Sequence, residues 1–236
     1  SAWVAFPIAF FNISYSYLPS HEAQHDIYAR PGDKLRWLNE LIGHASVIPL
    51  VSSYRVLKMT HLEHHKHTNN PDLDPDYDTH APSALAALWK ALKSRNPKSE
   101  FLDSYEKTLD RLDQEQAGLA RRDGIFINLC YLAVLFAMAA TGHALEAFLL
   151  WVLPLVLALV YIRFFLAWAP HHPGHETGRY QDTRAFKSLF GVIGTMGMTV
   201  HIVHHLHPRI PLDRTPAAFR EMRPILEARN CDLGGL

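Results

Sequence analysis

The sequence predicts an all-α integral-membrane helical bundle whose cytosolic part holds a histidine-rich two-metal site. Three observations carry that prediction. Apolar residues gather in blocks, and the longest, 147–169 (AFLLWVLPLVLALVYIRFFLAWA), has one charge, Arg163; a bilayer crossing takes about 20 mostly apolar residues. The polar sequence between the blocks repeats its apolar residues at helical spacing. Histidine is in excess at 16 of 236 residues, and all but His44, His80 and His143 fall in four short clusters.

Taken in order, residues 1–19 (SAWVAFPIAFFNISYSYLP) are apolar and uncharged, a first spanning candidate that ends just before HEAQH at 21–25. The chain opens on Ser rather than Met, with no charged segment of the secretory kind ahead of the apolar run, so a trimmed N-terminus is expected. Residues 41–57 are weaker, interrupted by His44, Pro49 and Arg55, and lead into HLEHHKH at 61–67. The loop DLDPDYD at 72–78 resembles the start of a calcium loop, but Tyr77 stands where glycine is required and Ser83 where the closing glutamate belongs. It reads as a solvated turn. Residues 90–123 are charge-dense, with Leu102, Tyr105, Leu109 and Leu112 at intervals of three or four, an amphipathic helix or two. Residues 125–140 and 147–169 then form a hairpin of two further spanning candidates around the short link TGHALE. HHPGH at 171–175 comes next, and HIVHHLH at 201–207 completes the clusters. The whole of 1–236 reads as one domain, with 20–124 and 170–236 as its cytosolic parts.

Composition excludes several classes. Lys+Arg and Asp+Glu both number 23, and a chain of zero net charge lacks the basic excess of a general nucleic-acid binder. Two cysteines, Cys130 and Cys231, provide neither a disulfide framework nor a thiolate zinc site. The mean hydropathy of −0.06 looks soluble only because an average hides segregation. Of the 23 basic residues, 14 lie in 26–124, eight in 170–236 and none at the hairpin tip. The excess of Lys and Arg on cytoplasmic loops therefore puts both polar stretches, and the histidines in them, on the cytoplasmic face.

Two clusters share the pattern H-x-x-H-H. On a helix, positions i, i+3 and i+4 lie on one face, so His61, His64 and His65 converge, as do His201, His204 and His205. His21 and His25 converge at i, i+4, and the fourth cluster adds one or more of His171, His172 and His175. Eight or nine imidazoles exceed one tetrahedral zinc site and suit two metal ions; imidazole alone does not select among Fe, Zn, Cu and Ni. His67 and His207 flank their boxes. Glu22, Asp26, Glu63 and Glu176 sit beside the ligand candidates, where carboxylates can fix imidazole tautomers. A rival reading takes His21, Glu22 and His25 as the H-E-x-x-H of a zinc metalloprotease, which leaves both H-x-x-H-H boxes unexplained. For all clusters to meet at one site, 41–57 and 186–200 must not cross the membrane, whereas the hairpin crosses twice and returns.

HEAQH, HLEHH and HIVHH, with HTNNPDLDPD after the second, resemble the three histidine boxes of the membrane fatty-acid desaturase superfamily, which includes acyl-lipid desaturases, carotenoid hydroxylases and ketolases. The likeness runs from His21 to about Pro211. It implies a non-haem di-iron centre, with His21, His25, His61, His64, His65, His201, His204 and His205 as ligands and His171 or His172 as an extra one. It implies dioxygen as co-substrate and a lipid substrate, either a fatty acyl chain given a double bond or a carotenoid that is hydroxylated or ketolated. Electrons are expected from a separate ferredoxin, rubredoxin or cytochrome. Members typically have four membrane helices beneath a cytosolic cap; with three candidates here, a first helix is expected to be missing.

Overall fold

The computed structural model describes residues 2–94 and 100–236, and every regular element among them is helical. Residues 95–99 of the charge-dense stretch lie outside the described residues.

Helix α1 (Ala2–Gln24) carries the first apolar block straight into the first histidine box. Helix α2 (Arg36–Ser46) and a turn over 47–53 lead to α3 (Tyr54–His67), which begins where Ser53 accepts the Val56 N–H at 3.3 Å. The weak apolar block 41–57 is thus broken across two helices and does not span. The end of α1 is tied to both: the carbonyl of Ala23 accepts from Asn39 Nδ2 and from Tyr54 Oη, each at 2.9 Å. Ala23, Ile13, Val47, Leu50 and Tyr54 pack there with Leu155 and Ala158.

Helices α4 (Ala84–Lys93) and α5 (Glu100–Arg111) precede α6 (Gln114–Ala140), whose first turn is capped by Asp113 accepting from Gln116 N at 2.8 Å. A short turn gives α7 (Ala144–His171). Two wide π turns interrupt α7, at 148–152 and 163–168. Each ends two residues before a proline, Pro154 or Pro170, which has no N–H for the usual i−4 carbonyl. A wide turn holds an extra residue and so rotates the part of the helix beyond it. Helix α8 (His201–Leu206) carries the third box and α9 (Thr215–Ala228) packs behind it, Phe219 and Leu226 against Ile202, Val203 and Leu206.

Among the described residues, two helices are long and apolar enough to cross a membrane, α6 and α7, with mean hydropathies of 1.8 and 2.4. None of the apolar stretch of α6 is buried by the protein. Phe126, Leu129 and Phe136 stand 60–76 % exposed on it, a continuous apolar surface far beyond what a soluble monomer leaves in water. The protein is membrane-associated through this hairpin. The block 1–19 is helical as well, but with Asn12 and its serines and tyrosines it is not a third helix of that apolarity. Arg163, the single charge of the block 147–169, is buried and paired with both oxygens of Asp78, at 3.0 and 3.1 Å.

Candidate metal centre

Four helix ends meet at one point. His21 closes α1 and His25 stands one residue beyond it, His61, His64 and His65 line one face of α3, His171 is the last residue of α7, and α8 delivers His201, His204 and His205. Each box is local helix geometry. What joins them is the packing of Ala23 on α2 and α3 and the return of the α6–α7 hairpin.

Nine of the ten histidines singled out in the sequence converge. His21, His25, His61 and His204 form one group and His64, His171 and His205 another, the donor nitrogens of each group lying within 4.8 Å of one another. Individual Nε2···Nε2 separations are 2.9 Å for His25–His61, 3.1 Å for His61–His65 and His65–His204, and 3.3 Å for His64–His171. Two ligands each about 2.1 Å from one ion, at angles between octahedral and tetrahedral, stand roughly 3.0–3.4 Å apart, so the spacing suits shared ions. His65 joins the groups, its ring stacked on His205 at 4.1 Å. His201 packs on His205 at 4.7 Å and on His171 at 5.3 Å.

The tenth, His172, stays out. The helix ends at His171, and His172 turns into extended backbone (φ −70°, ψ 135°) and lays its ring on Trp168 at 4.8 Å. His175 is exposed, so the fourth cluster contributes only His171. His207 is exposed, His67 sits 3.6 Å from Glu63, and His44 packs against Tyr54.

The carboxylates flanking the boxes are turned elsewhere. Asp26 pairs with Arg36 and Lys58, Glu63 with Lys66, and Glu22 accepts from the Leu212 N–H. The orienting groups come from residues the box pattern does not mark. Asp74, in the loop read as a solvated turn, is buried and accepts from His64 Nδ1 at 2.8 Å, from Asn69 N at 2.8 Å and from Asp76 N at 2.9 Å. His171 Nδ1 faces the Asp182 carbonyl at 3.3 Å, and His205 Nδ1 faces Thr68 Oγ1 at 3.4 Å. With Nδ1 so engaged, Nε2 is the atom each ring aims inward. Asn69, at φ 63°, braces these partners by donating to the carbonyls of Glu176 and Asp182 at 2.7 and 2.9 Å.

Burial holds His21, His61, His65, His201, His204 and His205 neutral, well below the ordinary imidazole pKa, and neighbouring imidazoles add to the effect. Burial likewise takes His25 down to about 4. His64 is the exception. Burial pulls it down too, but the charge and hydrogen bond of Asp74, with Asp76 and Asp182, raise it to about 9. Burial raises Asp74, yet the His64 charge and the two amides outweigh it and hold it below the usual carboxylate range.

The donor set fits metal ions. Neutral imidazoles are what divalent transition metals bind, so His64 gives up a proton on binding, and the inward Nε2 of His205 is buried with no hydrogen-bond partner in the protein, a position natives rarely tolerate without an unseen ligand. His61 and His204 complete the group around His21 and His25, and Glu22 is occupied by a backbone amide, an arrangement without the carboxylate-activated open position of a metalloprotease. Beside the imidazoles lies a cavity of about 850 Å³. His21, His61, His64 and His201 line it together with the apolar side chains of Leu50, Val51, Leu57, Leu129, Leu155 and Ile162.

Fold and site together define an all-helical, membrane-associated protein with a buried polyhistidine cage at one end of an apolar cavity. The chain belongs to the fatty acid desaturase family, whose model matches residues 1–232. It is similar to a β-carotene ketolase of Paracoccus sp. (strain N81106 / MBIC 01143), 26 % identical over 174 residues, covering 70 % of this chain and 58 % of that protein. It is 32 % identical over 92 residues to an sn-1 oleoyl-lipid 12-desaturase of Anabaena variabilis, covering 39 % of this chain and 26 % of the relative. With a zeaxanthin 4-ketolase of Chlamydomonas reinhardtii it shares 25 % identity over 221 residues, 89 % of this chain and 43 % of the relative. The chain spans 58 % or less of the length of each of these three relatives.

Proposed function

We propose that this protein is an oxygen-dependent membrane oxidoreductase that introduces a double bond into a fatty acyl chain. The observation that carries the reading is the opening of an apolar cavity of about 850 Å³ onto the polyhistidine cage. That volume is within the roughly 300–1,000 Å³ of sites that bury a small ligand.

His21, His25, His61 and His204 hold one metal ion and His64, His171 and His205 a second, with His65 and His201 as the neighbouring donors. Two non-haem iron ions bound there supply the dioxygen-dependent oxidation. The remaining tasks belong to the chain. Leu50, Val51, Leu57, Leu129, Leu155 and Ile162 take the apolar chain of the substrate, each buried methylene contributing about 0.8 kcal/mol, and keep water from the reacting carbons. His21, His61, His64 and His201 present the cage to that chain. Asp74, Thr68 and the Asp182 carbonyl hold His64, His205 and His171 in the tautomer that leaves Nε2 free to bind. Overall, dioxygen accepts two hydrogen atoms (two electrons and two protons in all) from the –CH2–CH2– unit and two electrons and two protons from outside, giving –CH=CH– and two waters. A separate ferredoxin, rubredoxin or cytochrome supplies the electrons. The excess of Lys and Arg on both polar stretches supports a cage on the cytoplasmic face.

A second reading, hydroxylation or ketolation of a carotenoid, is supported by the two ketolases, which align over 70 % and 89 % of this chain. Purified protein is assayed for metal content and, with an electron donor, for products from acyl lipids and from carotenoids. Two irons per chain and an unsaturated acyl product are expected, and His64→Ala or His204→Ala abolishes oxidation. One zinc and no iron, or full turnover by either variant, refutes the shared cage; an oxygenated carotenoid as the sole product selects the second reading.

A further inference from the structure

The segment joining the fourth histidine cluster to the third box leaves the cage and comes back to it, because His171 and His201 stand 5.3 Å apart, ring to ring. Between them the chain descends along the apolar helices. The carbonyl of Gly194 accepts from Tyr161 Oη of α7, that of Ile193 from Tyr15 Oη of α1 at 2.5 Å, and the ring of Phe190 packs on Phe165 of α7 at 5.8 Å. Tyr161 precedes His171 by ten residues, on the order of 15 Å along a helix at about 1.5 Å per residue. At that depth the segment turns its side chains outward: Leu189 is fully exposed, Ile193 81 % and Phe190 68 %.

Its backbone does the reverse. The carbonyls of Ser188 and Phe190 accept from Gly191 N and Gly194 N, that of Val192 from Gly197 N, and that of Gly191 from Thr195 Oγ1, at 2.8–3.1 Å. With the two tyrosine bonds, six of the seven carbonyls from 188 to 194 have a donor from within the protein, and only the Gly194 N–H to Phe190 bond is of the ordinary α-helical kind. A loop in water has no need of this, since water satisfies its carbonyls. In hydrocarbon an unsatisfied peptide group costs several kcal/mol, and irregular backbone is tolerated only where protein supplies its partners.

We infer that residues 188–194 form a re-entrant element that dips into the bilayer beside α7 and returns on the same side, with Leu189, Phe190 and Ile193 in contact with lipid acyl chains. The occupant of this apolar face is the bilayer because the segment is anchored through Tyr161 and Phe165 to α7, a helix long and apolar enough to cross a membrane. The inference rests on the membrane placement of the hairpin and is independent of the metal chemistry.

The full chain, with Cys130→Ser and Cys231→Ser as background, is labelled with an environment-sensitive fluorophore at Leu189→Cys or Ile193→Cys and reconstituted into phosphatidylcholine vesicles. Phe136→Cys on α6 and Arg220→Cys on α9 serve as lipid and water references. The expected result is loss of emission to a lipid carrying an acyl-chain nitroxide, matching Phe136→Cys, and emission retained in aqueous iodide. Quenching by iodide to the extent of Arg220→Cys overturns the inference. So does protection from both quenchers, which would mean that protein, such as a second copy, covers the face. If Phe136→Cys is itself quenched by iodide, the membrane placement of the hairpin falls, and the re-entrant segment with it, whatever the metal analysis returns.

Discussion

Asp74→Asn tests the logic of the centre most directly. Oδ1 of Asp74 accepts from both His64 Nδ1 and Asp76 N, while Oδ2 accepts from Asn69 N at 2.8 Å. Asparagine of the same shape supplies one acceptor. If its oxygen stays with His64, its NH2 faces the Asn69 N–H, two donors against each other in a buried site; if it flips, His64 loses its acceptor. The first outcome strands a donor at about 1–3 kcal/mol of stability. Either weakens the orientation and basicity of His64, and loss of such an outer partner lowers metal affinity by roughly 10–100-fold, or about 1.4–2.7 kcal/mol. Chelator competition reads the affinity, and thermal unfolding of the metal-free protein reads the stability. Asp72→Asn, on an exposed residue of the same loop, is the control and changes neither. Wild-type metal affinity and wild-type stability in Asp74→Asn would refute the assignment of Asp74 as the group that positions His64.

Three further outcomes are expected. Gly43→Ala destabilises the fold: its Cβ would stand 2.5 Å from the ring of Tyr54, and overpacking of about 1–3 kcal/mol outweighs the roughly 1 kcal/mol that alanine gains over glycine in a helix; an unchanged or raised Tm contradicts the packing of α2 on α3. Leu57→Trp, one turn before His61 on the cavity wall, lowers kcat/KM for the lipid by roughly 100-fold, since small displacements of a substrate have effects of that size, while metal content stays at the wild-type value; equal turnover shows that the substrate does not use this cavity. In the metal-free protein, His25 is neutral when folded down to about pH 4 but titrates near 6.5 when unfolded, so its contribution is intact above pH 6.5 and stability falls as pH drops from there toward 4. His64, raised to about 9, works in the opposite sense: its contribution is complete below 6.5 and lost as pH rises through 9. Urea titrations across pH 4–9.5 should give a maximum near pH 6.5, and a stability rising steadily toward pH 4 would contradict the burial of His25.

The sequence alone was enough for everything that depends on chain-local geometry. The i, i+3, i+4 spacing of the two H-x-x-H-H boxes placed three imidazoles on one helical face, and α3 and α8 present them so. The need for His25 and His61 to meet on one side excludes 41–57 as a span, and it is split between α2 and α3. The length and apolarity of 125–140 and 147–169 predicted the hairpin, though not that α6 would begin eleven residues earlier, at Gln114.

Tertiary structure decided what depends on distance and on where a helix stops. His171 and His172 are equivalent as neighbours in sequence. The end of α7 separates them, one aimed at the cage and the other laid on Trp168. Asp74 belongs by sequence to a solvated turn because its loop fails the calcium pattern, and nothing in that pattern reports that the loop folds back on α3 and buries a carboxylate against His64. Glu22 and Glu63, adjacent to ligands in sequence, point away because neighbours on a helix at i and i+1 face different directions. Whether a hairpin of apolar helices is a buried core or a membrane anchor also depends on what packs around it, and no residue of the apolar stretch of α6 is buried. Side-chain spacing along one helix comes from backbone periodicity and is written in the residues. Which groups share a point across 107 or 139 residues of chain, as His64 does with His171 and His65 with His204, is set only when the helices pack.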